Sequence, residues 1–204
     1  MFRVALLDSG FDDPAPAARR IFVEGDGKLD HGRALAAAIR DAAPEAALLD
    51  GRIFGDSLAT RVSAVAAAIR WAVGEGAKII NLSLGLREDR EDLRIAVAEA
   101  VAAGVLVIAA APARGGPVYP AGYPGVIRAT GDARCGVDDL SWINDAAADF
   151  GASPAPLPAF PRVAGASMAA ARVAGALAAL ASDNADPVAA LRDRCRFTGR
   201  ERRS

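Results

Sequence analysis

Three side chains, far apart along the chain, are of the types that acyl transfer requires: a carboxylate, an imidazole and an alcohol. Ser167 opens the run GASMAAARVAGALAAL, residues 165–180, in which alanine, valine and leucine otherwise dominate. Its hydroxyl has two readings at a helix start. One is a plain N-cap, accepting a hydrogen bond from a backbone N–H one turn in. The other is a nucleophile, held where the partial positive charge of the helix favours an anion beside it. His31 is the single histidine, so no other imidazole can serve as base. It is also readable as a polar residue satisfied at a helix start. Asp8, in Asp8-Ser9-Gly10, is either an Asx-turn residue or the carboxylate that would orient the imidazole.

Whether the three meet depends on the elements that carry them. Residues 2–7 read as a first strand, and residues 9–30, with Pro14, Pro16, Gly25 and Gly27, as a long loop. Helical periodicity runs over residues 31–42 and stops at Pro44. Residues 46–49, extended by 52–54, read as a second strand. Residues 58–73 read as a helix ended by Gly74 and Gly76, and residues 77–85 as a third strand. A helix over 91–103 with acidic residues at its start suits the helix dipole. Residues 105–111 form an apolar run typical of a strand covered on both faces. A Gly/Pro/Tyr loop then leads to a strand at 126–130. Less regular sequence follows to residue 160, then the Ser167 helix and a short helix from Pro187. This alternation predicts an α/β fold: three layers, with a mostly parallel sheet and helices on both faces. In such sheets ligands bind beyond the carboxyl ends of the strands. Asp8 ends the first strand, and His31 and Ser167 begin helices beside that edge.

Bulk properties exclude several function classes. The 204 residues make one domain with a core of Ala, Val, Leu and Ile, since 52% are hydrophobic and 5% aromatic. A net charge of −1 offers no field for nucleic acid or an anionic membrane. Cys135 and Cys195 read as reduced thiols rather than a disulfide framework. With one histidine and no Cys/His cluster, neither a metal site nor a cofactor is expected. The opening MFRVALLDSG is too short in apolar residues for a signal peptide, and no stretch reads as a membrane span. The expected location is the cytoplasm. The basic stretch at 192–204 carries six arginines against Asp193 and Glu201. It reads as a solvated, frayed tail, or alternatively as a docking arm for an acidic partner.

Four motifs, in order, resemble those of the subtilisin-like serine proteases. Val4-Ala5-Leu6-Leu7-Asp8-Ser9-Gly10 is similar to that family's catalytic-aspartate motif. His31-Gly32-Arg33-Ala34-Leu35-Ala36 is similar to its histidine motif, although Arg33-Ala34 stands where the family usually has Thr-His. Residues 76–85, GAKIINLSLG, resemble the strand that pairs with substrate. Gly165-Ala166-Ser167-Met168-Ala169, followed by Val173-Ala174-Gly175, resembles the nucleophile motif and its helix. The resemblance implies a triad of Asp8, His31 and Ser167. It also implies a substrate strand added along Ser83, Leu84 and Gly85, with Ala109, Ala110 and Ala111 across the primary pocket; plain sheet core is the competing reading for these alanines and the better one for Ala109. Calcium sites are common in the family, but no compact carboxylate loop is found here.

One position departs from the pattern. The strand at 105–111 and the later Tyr119-Pro120-Ala121 fix the register, and between them Pro112-Ala113 occupies the place of the family's Gly-Asn. The family's asparagine donates to the developing oxyanion. Proline lacks even a backbone N–H, and losing such a donor costs about 10²–10³ in turnover. Arg114, Asn144 or a partner protein would have to substitute. With Asp8 so near the start, neither a signal peptide nor a pro-domain is expected. A compact protease without an inhibitory segment is less hazardous if it is slow and narrow in specificity. In compactness the chain also resembles the subtilisin-like maturation protease that removes the leader from the small subunit of quinohemoprotein amine dehydrogenase. The expected partner is a polypeptide, a specific client precursor, with an accessory protein as an option. The competing reading is a pseudoenzyme that binds a peptide without cutting it. An esterase is disfavoured because no glycine lies two residues after Ser167.

Overall fold

The computed structural model describes residues 2–13, 15–25, 30–181 and 184–201. Pro14 and Gly27 of the expected loop, and residues 202–204 of the basic tail, lie outside the described residues. The sheet grows outward from β1 (Arg3–Asp8), which pairs in parallel with β3 (Ala47–Arg52) on one side and β4 (Ile79–Leu82) on the other. Beyond β3 lies β2 (Ala18–Ile21). Beyond β4 come β5 (Leu106–Ala110), β6 (Val126–Gly131), β8 (Phe150–Ala152), β7 (Leu140–Trp142) and β9 (Phe197–Thr198). Only the β7–β8 pairing is antiparallel among the described strands.

The side-chain period of two sorts each strand into two cores. Val4 and Leu6 of β1 share one core with α1 (Asp30–Ala42), α4 (Ala166–Ala181) and α5 (Pro187–Asp193). Ala5 and Leu7 pack beneath α2 (Val62–Gly74) and α3 (Glu91–Ala102). Chain direction explains the split. The step from β1 to β3 runs one way along the sheet, whereas β3 to β4 and β4 to β5 run the other. Right-handed crossovers therefore put α1 on one face and α2 and α3 on the opposite face. This is the three-layer α/β arrangement expected from the alternation, and its strand order reverses between β1 and β4. Among the described residues no helix is long and apolar enough to cross a membrane.

Three expectations are corrected. The loop expected over residues 9–30 contains β2, whose Ala-Arg-Arg-Ile sequence has no apolar alternation because it is an exposed edge strand; Arg19 reaches back to the buried Asp50 at 2.6 Å. The stretch expected to be irregular up to residue 160 contains β7 and β8, each three residues long and too short for periodicity to register. The basic tail, as far as residue 201, is not frayed. β9 pairs with β7, Arg196 meets Asp139 at 3.1 Å, and the Arg134 and Arg196 guanidinium groups lie 5.1 and 5.5 Å from the Phe197 ring centre.

Candidate active site

β1 delivers Asp8 to the point where the strand order reverses, fully buried. Gly10, at φ 93°, turns the chain away immediately afterwards. The carboxylate Oδ1 accepts from the Ser9 backbone N–H at 2.8 Å, from the Ser9 hydroxyl at 3.2 Å and from His31 Nδ1 at 2.8 Å. With the carboxylate as acceptor, Nδ1 carries the proton and the Nε2 lone pair is free. The imidazole itself is 16% exposed. Burial alone would push its pKa down, but the hydrogen bond and negative charge of Asp8 outweigh it and hold the pKa above the ordinary 6.5.

The helix that carries His31 docks directly on this turn. The Gly32 N–H, one of the unpaired donors at the start of α1, donates to Ser9 Oγ at 2.9 Å. A Cβ on Gly32 would sit 2.5 Å from the Gly10 carbonyl oxygen and 2.9 Å from its nitrogen, so only glycine permits this approach. Gly32→Ala is therefore expected to displace the start of α1 from β1. Labelling of the serine by a fluorophosphonate should slow by about 10²-fold, the scale of a 1 Å misplacement. Labelling kinetics alongside a melting curve check this, and parent kinetics would refute it.

Ser167 is the second residue of α4, and Gly165, at φ 86°, makes the turn that precedes it. The N-cap reading fails on geometry: Ser167 lies inside the helix, and among the described residues its hydroxyl has no hydrogen-bond partner. It is half-buried and available. α4 is apolar on nearly every side because it is packed all round, with its start tied to the end of β8 by the Gly165 N–H to Pro154 carbonyl bond of 2.8 Å. Both α1 and α4 thus begin at the carboxyl edge of the sheet and run back beneath it. They touch where a Cβ on Gly175 would lie 3.1 Å from the Ile39 Cα. His31 lies eight residues before Ile39 and Ser167 eight before Gly175, about 12 Å of helix in each case. The two residues therefore share one end of the helix pair. The segments around them meet there too, with the Arg33 guanidinium 5.5 Å from the Phe160 ring centre. The Asp8–His31 hydrogen bond is made in this structure; one between His31 and Ser167 is not.

Two hollows flank Pro112-Ala113. One, of about 670 Å³, is lined by Ala111, Pro112, Val118 and Tyr123, with the Arg128–Asp149 ion pair in its wall. The other, of about 510 Å³, is lined by Ala113, Arg114, Gly165, Ala166 and Arg200. β4 stops at Leu82, so Ser83, Leu84 and Gly85 follow the strand rather than extending it. Ser83 Oγ accepts from the Asn81 side chain at 3.3 Å, and Gly85 lies against Val118. Ala110 ends β5 and Ala111 is buried behind it. Of the substitutes for the missing donor, Arg114 lines the second hollow and Asn144 does not.

Two residues were missed by the sequence reading. Ser9, read only as the first residue of the long loop, couples Asp8 to α1; the hydroxyl between an acid and a glycine was the available signal. Arg200, counted as tail charge, lines the hollow beside Ser167, and nothing local announces it, because its partner Asp145 is 55 residues away. Cys135 and Cys195 are unpaired, and burial pushes both thiols up to about 11, which leaves them unreactive. Among the described residues no group of three or more His, Cys, Asp or Glu is placed to hold a metal.

Comparison with known proteins gives the following. The subtilase family profile matches residues 2–143. Alkaline elastase YaB of a Bacillus species (strain YaB) is 32% identical over 59% of this chain and 37% of its own length. Thermitase of Thermoactinomyces vulgaris is 33% identical over 78% of this chain and 62% of its own. The chain thus spans less than two-thirds of these curated relatives. The structure of the prenylagaramide maturation protease PagA superposes with a TM-score of 0.68 at 23% identity, covering 92% of this chain and 79% of that one, a likeness of fold.

Proposed function

The chain belongs to the subtilase family, and from that premise we propose that it is a serine endopeptidase with Asp8, His31 and Ser167 as its triad. The observation that carries this reading is the 2.8 Å bond from His31 Nδ1 to the buried Asp8, at the same helix-pair end as an unpartnered Ser167 hydroxyl. Ser167 Oγ attacks the substrate carbonyl carbon while His31 Nε2 takes its proton. The carbonyl π pair moves onto oxygen, and the Ser167 N–H, unpaired in the first turn of α4, donates to it. On collapse, His31 returns the proton to the leaving amine. Substrate lies along residues 83–85 by strand addition, opposite Ala110 and Ala111.

We further propose slow, narrow cleavage of a client precursor, such as removal of a leader. Pro112-Ala113 supplies no side-chain donor, and the fold is shared with a maturation protease. Two unpaired thiols fit a reducing compartment, the cytoplasm. The same Pro112-Ala113 favours the second reading, a peptide-binding module without turnover. A fluorophosphonate probe separates the two, since an activated serine is labelled and an inert one is not. Leader-bearing precursors and casein then test specificity: selective cleavage of a precursor is expected, and rapid casein digestion would overturn the narrow reading.

A further inference from the structure

A tetrahedral oxyanion needs more than one donor to be held well, and the Ser167 N–H supplies one. The hollow lined by Ala113, Gly165, Ala166 and Arg200 is where a second must project, because it touches both the residues before the serine and the residue lacking a donor. Two guanidinium groups line it. Both are exposed, but Arg114 makes no hydrogen bond or ion pair among the described residues. Arg200 is fixed. Its Nε donates to Asp145 Oδ2, one terminal nitrogen faces Asp145 Oδ1 at 3.4 Å, and the other donates to the Ala113 carbonyl at 2.9 Å.

The backbone that presents Arg200 is fixed as well. β9 pairs with β7, the Gly199 N–H donates to the Trp142 carbonyl at 2.9 Å, and Arg134 donates to the Gly199 carbonyl at 2.5 Å. Gly199, at φ 70°, then turns the chain toward the hollow. A donor held in this way costs no reorganisation during reaction, whereas a free side chain must first be ordered. Three N–H groups of the guanidinium are engaged, and a guanidinium has further donors to offer.

Resting on the protease reading above, the geometry points to Arg200, which follows strand β9 across the Gly199 turn, as the side-chain donor to the oxyanion. The C-terminal segment is then part of the catalytic apparatus. Its pairing with Asp145 offsets the arginine's charge, so it replaces a donor without making the site strongly cationic.

The test is the second-order rate at which a fluorophosphonate labels Ser167, a reaction that places the same demand on the donors as the phosphoryl oxygen gains charge. Arg200→Ala should label about 10²-fold more slowly, and Arg200→Gln, which keeps an amide donor, should lose less. Ala113→Asn introduced into the Arg200→Ala chain should recover most of the loss, which a merely structural role for Arg200 would not allow. Melting curves of each variant establish that the fold is retained. Parent-like labelling of Arg200→Ala, a loss that Ala113→Asn does not repair, or transfer of the loss to Arg114→Ala would each overturn the assignment. Failure of the parent chain to label at all would overturn the protease reading itself.

Discussion

With Ser167 and His31 acting as proposed, Ser167→Ala should lower kcat by about 10⁶ and remove fluorophosphonate labelling together, and His31→Ala should do nearly the same. The expected loss corresponds to about 8 kcal/mol of transition-state stabilisation. It is large because the alcohol and the imidazole work as one unit: a serine whose proton has nowhere to go is a poor nucleophile at neutral pH. For the same reason the double variant should be no worse than either single one. Structural cost does not confound the comparison. Ser167 makes no hydrogen bond that its removal would break, and alanine is the best helix former, so the melting temperature should hold or rise. The measurement is kcat/KM on one cleaved peptide, with labelling followed by mass. Additive losses in the double variant, or labelling that persists at another residue, would refute the assignment.

Much of this arrangement is legible in the sequence, for identifiable reasons. Buried parallel strands write themselves as short apolar runs, so β1, β3, β4 and β5 stand out. Helices that cover them show the 3.6-residue period, as α1 and α2 do. Asp8, His31 and Ser167 each sit at the junction between such an element and a loop, and junctions at the carboxyl edge are where chemistry collects. The edges of the sheet are a different matter. β2 is built from exposed arginines, and β9 has two residues. Both are held by long-range ion pairs that no local window contains, so Arg196 and Arg200, counted in the sequence as solvated tail charge, are anchored to Asp139 and Asp145.

Glycine explains why the site is as tight as it is. Gly32 lets α1 touch the turn after β1, and Gly175 lets α4 approach α1 until a Cβ would lie 2.9 Å from the Ala42 Cβ. The first contact sets the distance from His31 to Asp8. The second sets how far apart the two helix starts can be. Positions that look like losses of helix propensity, about 1 kcal/mol each relative to alanine, thus let α1 close on the turn after β1 and α4 close on α1.

Asp8→Asn should leave the fold in place and lower kcat by about 10⁴. The side chains are close to isosteric, and the amide oxygen still accepts from the Ser9 N–H and His31 Nδ1, but the negative charge that stabilises the imidazolium formed as Ser167 gives up its proton is gone. The pH profile distinguishes this from simple disruption. In the parent the base must be neutral, and Asp8 holds the His31 pKa above 6.5, so kcat/KM rises as pH climbs through that raised value. The sign for stability is the reverse. The Asp8–His31 ion pair contributes fully below the ordinary histidine pKa, and its contribution is lost as pH rises through the raised one. With the carboxylate gone, burial alone acts on the ring and lowers its pKa. The residual activity of Asp8→Asn should therefore begin to rise at lower pH than the parent's. A profile unmoved by the substitution, or a loss under about tenfold, would mean that Asp8 neither orients nor charges His31 during the reaction.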